Sequence, residues 1–194
     1  MKLGKIFVFY GPSAAGKSKI QKALTTEAFP RIITSTTRAQ RVGEADRVDY
    51  IFMTADLFQE HLRNGDFVEW TLYHGEHYGT LKAEISKMHA SDKQAHIILD
   101  LAGVVSLKQL FTNTVAIYIG ADIDSIKRRL VERESSSEEV DWRLNKAITE
   151  ELTATYTQHA DLIFWNNDDM AFNETVRRVQ EAIGIKGTFE THAE

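Results

Sequence analysis

Apolar positions fall into short continuous runs separated by stretches with helical spacing. Residues 6–10 are uninterrupted apolar and end at Gly11-Pro12, the pattern of a strand buried on both faces. Residues 97–99, 115–119 and 162–165 repeat it, with Ile32 and Ile33 as a short fifth run. Helix-like stretches lie between, at about 17–27, 81–90, 104–111, 122–133, 139–159 and 169–183. Strand–helix alternation predicts an α/β fold: a parallel sheet covered on both faces, in three layers.

Two regions break the alternation. Residues 49–54 and 67–80 have the pattern of short strands, with a turn at Gly75-Glu76, and residues 55–63 between them have that of a helix. This predicts a small α+β insertion over 34–80. Residues 133–141 are charged and serine-rich within helical surroundings, the composition of a mobile loop. The expected division is a core of 1–33, 81–124 and 155–194, the insertion, and a helical lid over 125–154. Residues 186–194 lack periodicity and are expected to fray.

Composition narrows the chemistry. With 23 basic and 28 acidic residues the net charge is −5. A general nucleic-acid surface is therefore not expected, and an anionic ligand needs a local basic cluster. The absence of cysteine excludes disulfides, thiolate metal sites and a cysteine nucleophile. No apolar run approaches the roughly 20 residues of a membrane span. The first apolar run is too short for a signal-peptide core. A cytoplasmic protein starting near Met1 is expected, with no membrane partner.

Gly11-Pro12-Ser13-Ala14-Ala15-Gly16-Lys17-Ser18 matches G-x-x-x-x-G-K-[ST], after a predicted strand and opening a predicted helix. The two glycines let the backbone curl so that successive N–H groups face one phosphate, and the helix N-terminus adds partial positive charge. Lys17 is placed to reach the β- and γ-phosphates of a nucleoside triphosphate, and the Ser18 hydroxyl to coordinate Mg²⁺.

Downstream, Arg38 and Arg41 lie three apart in Thr34-Ser35-Thr36-Thr37-Arg38-Ala39-Gln40-Arg41. Two such guanidiniums can clamp one phosphate. Then follow Gly43-Glu44, Asp49-Tyr50, Phe67-Val68-Glu69-Trp70 and Tyr78-Gly79-Thr80. In order and spacing these segments, with the phosphate loop, resemble the guanylate kinases over nearly the whole chain. The resemblance implies transfer of phosphate from ATP to GMP, and to dGMP, with Mg²⁺. It implies that Glu69 accepts from guanine N1–H and N2–H₂, which adenine cannot offer. Thr34 would donate to guanine O6, and Thr80 would add a polar contact. Arg38, Arg41, Tyr50 and Tyr78 would hold the GMP phosphate.

Arg129 and Arg133 are four apart and share a helical face. Arg143 resembles the family's third lid arginine. With Lys17 they would surround the transferring phosphoryl group with positive charge. Arg128 and Lys127 have the pattern of a charged surface instead. Asp100 closes the run 97–99, at the carboxyl end of a parallel strand where ligands bind. It either orients Mg²⁺ through water or touches the guanine. Trp165-Asn166-Asn167-Asp168 resembles the family's stretch beside the adenine.

Four features depart from the family pattern: Ile98 stands at a common acidic position, Thr34 at a common serine, Glu134 at a glycine, and Ala39-Gln40 lacks a proline. Two other readings remain. A non-catalytic binding module typically erodes the phosphate loop, whereas Lys17 and Ser18 are intact. A sugar-phosphate acceptor would have no use for Glu69. Oligomeric state is not legible.

Overall fold

The computed structural model describes residues 4–73, 75–91, 93–133 and 136–185. Glu134 and residues 186–194 lie outside these. The first strand, β1 (Ile6–Tyr10), is buried at every position. Alternation sends Phe7 and Phe9 into one core cluster and Ile6, Val8 and Tyr10 into another. Such a strand belongs in the middle of a sheet. It pairs in parallel with β6 (Ala95–Ile98) on one side and β7 (Thr114–Gly120) on the other. The edge strand β8 (Leu162–Trp165) pairs with β7 and completes the order β6-β1-β7-β8.

Helices cover both faces. α1 (Lys17–Leu24), α5 (Ile123–Glu132) and α8 (Phe172–Ile183) supply Ile20, Leu24, Ile126, Leu130, Val176 and Val179 to the first core. α3 (Lys82–Ala90) and α4 (Leu101–Leu110) supply Ile85, Val104 and Leu107 to the second. This is the three-layer α/β core. Among the described residues no helix is long and apolar enough to cross a membrane.

The insertion is a second sheet. β2 (Ser35–Thr36) pairs in parallel with β3 (Ile51–Phe52) and antiparallel with β5 (Glu76–Leu81), which pairs with β4 (Phe67–Tyr73). α2 (Ala55–Arg63) packs on it through Phe58, whose ring stacks on Phe67 at 4.4 Å.

Several expectations need correction. Ile32 and Ile33 form no strand; Arg31 makes a single bridge to His96. β2 has too few residues for a periodic signal. The charged loop over 133–141 is shorter than its composition suggests, because Ser136 caps α6 (Ser137–Lys146) by accepting from the Glu139 N–H at 3.2 Å. The single helix expected over 139–159 is broken: a π-helical turn follows α6 at Ala147–Glu151, and then the short α7 (Ala154–Thr157). Helix α4 begins earlier than its apolar spacing indicates, since the Asp100 carboxylate accepts from Gly103 N–H at 2.8 Å and caps it.

Candidate functional site

The loop from Gly11 to Gly16 leaves β1 and enters α1. Gly11 and Gly16 have φ of +134° and +93°, a left-handed region that disfavours a side chain. A Cβ on Gly16 would also meet Asn166 Nδ2 at 2.4 Å. That amide donates to Ala15 O at 2.9 Å and is buried, so the loop after β8 props the phosphate loop. Ala14, at φ +61°, completes the curl. Lys17 Nζ turns back and donates to the carbonyl oxygens of Gly11 and Pro12, both at 2.7 Å. Burial pushes its pKa down to about 8, with Glu151 opposing that shift and Arg133 and Lys146 adding to it.

The arginines of the expected lid reach the same loop. Arg129 donates to Ala14 O at 3.1 Å, to Asn166 O at 2.7 Å and to Asp168 at 2.9 Å. Arg143 donates to Ser13 Oγ at 2.9 Å and to Glu139 at 3.1 Å. Arg133 ends α5 and lines a cleft of about 870 Å³ with Gly16, Ser18, Arg129, Asn166, Asp168 and others. Arg128 also lines it and pairs with Asp168, while its side chain stays largely exposed.

A second cleft, about 990 Å³, lies between the core and the second sheet. Ser18, Thr34, Tyr50 and Ile98 are on its wall. The position of the missing acid is thus an apolar, half-buried patch facing the cleft. Ser18 is exposed and lines both clefts.

The remaining predicted residues form two groups on the second sheet. Arg38 donates to both Glu44 carboxylate oxygens, at 2.8 and 3.0 Å, and its guanidinium lies 5.5 Å from the Tyr50 ring centre. Tyr50 and Tyr78 meet edge to face at 6.1 Å. Arg41 is exposed, with its N–H donating to Glu44 at 2.8 Å. Both residues thus reach Glu44, Arg38 through its guanidinium and Arg41 through its main-chain N–H, and Ala39 O also accepts from the Arg38 guanidinium where the family's proline is lacking.

Glu69 sits where β4 bulges. Thr80, fully buried on β5, donates to it at 2.6 Å. Burial pushes the Glu69 pKa up to about 7; Thr80 opposes the shift and Asp100 adds to it. Gly103 on α4 lets this carboxylate arm pass, since a Cβ there would lie 2.9 Å from Glu69 Cγ. Glu69, Thr80, Asp100 and Gly103 thus converge.

Metal-binding capacity is modest. Among the described residues no group of three or more His, Asp or Glu side chains is arranged to hold an ion. Ser18 and Asp100 offer oxygen only. That donor set suits a Mg²⁺ held mostly by phosphate and water.

Glu151 was not legible as a site residue. It lies on the π-helical turn, 8% exposed, with its carboxylate 3.7 Å from Lys146 Nζ. The available signal was an acid on the apolar face: Val140, Leu144, Ala147 and Glu151 recur at helical spacing.

Comparison with known proteins places the chain among relatives of one family. The family model described as "Guanylate kinase" matches residues 3–185. A guanylate kinase of Fusobacterium nucleatum is 32% identical over 187 residues, covering 94% of this chain and all of that one. One from Chlorobium luteolum is 36% identical over 152 residues, 75% of this chain and 77% of its own. The crystal structure of guanylate kinase from Anaplasma phagocytophilum superposes with a TM-score of 0.69 at 22% identity, covering 95% and 86% of the two chains. At that identity it bears on the fold alone.

Proposed function

The chain belongs to the guanylate kinase family, and on that premise we propose that it transfers the γ-phosphoryl group of ATP to GMP, giving ADP and GDP. The supporting observation is the Glu69–Thr80 pair beside Asp100. A half-buried carboxylate fixed by a hydroxyl suits two N–H donors on one edge of guanine. With adenine its oxygens would be left unpaired, a strong penalty.

A phosphate oxygen of GMP attacks the γ-phosphorus in line. The new O–P bond forms as the bond to the β-phosphate oxygen breaks, and ADP leaves with that electron pair. Arg38, Arg41, Tyr50 and Tyr78 orient the acceptor phosphate, with Arg38 exchanging Glu44 for it. Thr34 contacts the base. The N–H groups of residues 11–18 cradle the donor phosphates. Lys17, Arg129, Arg133 and Arg143 hold positive charge against the transferring oxygens, and their approach excludes water. Ser18 would hold Mg²⁺, with Asp100 acting through water. When bound with ATP the ion neutralises charge on the β- and γ-oxygens. The cleft with Asn166 and Asp168 takes the adenosine half. dGMP serves as a second acceptor, because none of the named groups is assigned to the ribose. The insertion 34–80 and the lid 125–154 close on the core 1–33, 81–124 and 155–194. The partners are these nucleotides in the cytoplasm, without nucleic acid or membrane.

ADP production from Mg-ATP, compared across GMP, dGMP, AMP, UMP and no acceptor, tests this. Fast turnover with GMP and dGMP, little with AMP or UMP and little without acceptor is expected. Turnover that ignores the base would overturn the role of Glu69. A folded protein inactive with every acceptor would favour a binding module.

A further inference from the structure

The mechanism above leaves one buried charge unused. Glu151 stands on the π-helical turn that ends the lid helix. An extra residue in a helical turn gives this geometry, and such turns recur at functional sites. The buried Tyr118 hydroxyl donates to Glu151 O at 2.9 Å, tying the turn to β7. Tyr10, edge to face with Tyr118 at 5.4 Å, donates to Tyr156 O at 3.3 Å. The main chain here is therefore anchored to the central strands.

The carboxylate faces the phosphate loop. Lys146 Nζ is 3.7 Å away. Burial pushes the Glu151 carboxyl pKa up; Lys146, Lys17 and the Ser13 main-chain N–H oppose that shift, and Glu150 adds to it. Burying an acid there is costly unless positive groups surround it. Those groups are the ones a nucleotide phosphate would use. Arg143 rests on Ser13 Oγ and Lys17 on loop carbonyls.

We propose that Glu151 is a built-in stand-in for nucleotide phosphate, a positioning residue that occupies the field of Ser13, Lys17 and Lys146 until the phosphates displace it. The proposal rests on the phosphate-loop assignment. Donor affinity is then set by competition. Because Glu151 belongs to the lid's rear anchor, its displacement also signals phosphate binding to the lid.

The test measures MgADP binding by calorimetry and thermal unfolding with and without MgADP. It uses the wild type, Glu151→Gln and, as a charge-matched control, Glu150→Gln. Glu151→Gln should tighten MgADP about tenfold, the scale of one charge-assisted hydrogen bond. It should lower the unfolding temperature of the empty protein and leave that of the MgADP complex unchanged. Glu150→Gln should shift affinity less than about twofold. Equal affinities in all three proteins, or weaker binding by Glu151→Gln, would overturn the proposal. So would an equal loss of stability with and without MgADP, which marks a merely structural ion pair. A wild type that binds no MgADP overturns the phosphate-loop assignment and this proposal together; binding with no difference overturns the proposal alone. If Glu151→Gln does not fold, Glu151→Asp withdraws the charge by one methylene and should tighten MgADP about threefold; an unchanged or weaker affinity would refute the proposal.

Discussion

Glu69 reaches its position only because residue 103 is glycine: a Cβ there would lie 2.9 Å from Glu69 Cγ and equally close to Leu99 Cβ. The same residue's N–H fixes the Asp100 carboxylate. A helix of the core thereby sets the carboxylate of the second sheet. Gly103→Ala should shift Glu69 and raise the KM for GMP about tenfold, about 1.4 kcal/mol, with the KM for ATP unchanged. Steady-state kinetics with each substrate varied decides this; a rise in both would indicate general loosening of α4.

Burial pushes the Glu69 pKa up to about 7, yet on the proposed role it must be ionised to accept both guanine N–H groups. GMP affinity should therefore rise as pH passes upward through about 7. The stability sign is opposite. The folded protein binds this proton more tightly than the unfolded chain, so stability from the group is present below about 4.5 and declines as pH rises to about 7. Glu69→Gln should abolish the affinity dependence due to this residue. It should cost about a hundredfold in kcat/KM for GMP and leave ATP binding intact. Calorimetric titration with GMP at several pH values reads both effects.

Lys17→Ala should lower kcat by at least about a hundredfold and leave GMP binding largely unaltered. Because the wild-type pKa is pushed down to about 8, the free protein loses this charge above that pH. The kcat/KM for ATP should fall there. Near-normal turnover of the alanine variant would refute the assigned role.

Gly16→Ala combines a positive φ with a 2.4 Å approach to Asn166 Nδ2. Both problems sit in the loop rather than the core, so the variant should fold and lose most ATP affinity. Circular dichroism with nucleotide titration separates the two effects. Retained affinity would show that the loop tolerates the shift.

The core was legible because its signals are local and repeated. The sequence IFVFY in β1 is an unbroken hydrophobic run, and β8 and the middle of β7 announce themselves in the same way, whereas β6 was legible only at Ile97 and Ile98 because His96 interrupts its run. The phosphate loop was legible because fixed glycine spacing between strand and helix reports a backbone shape. β2 was not legible, since its two residues pair through contacts distant in sequence. Nor was the π-helical turn, where one extra residue keeps the composition and shifts the phase. At the candidate site, residue types could be placed in order, but partners could not. That Glu44 holds Arg38, and that Glu151 faces the phosphate loop, depends on segments brought together only by folding.

Ser18 and Lys22 form the wall common to both clefts, and this has a kinetic consequence. On the proposed assignment of donor to the first cleft and acceptor to the second, the two approach from opposite sides of that wall, so neither must pass the other to reach its place. Binding order should be random, and initial-rate plots should intersect with either substrate varied. Each product should inhibit competitively against the substrate whose cleft it shares. An obligatory order would require that filling one cleft build the other.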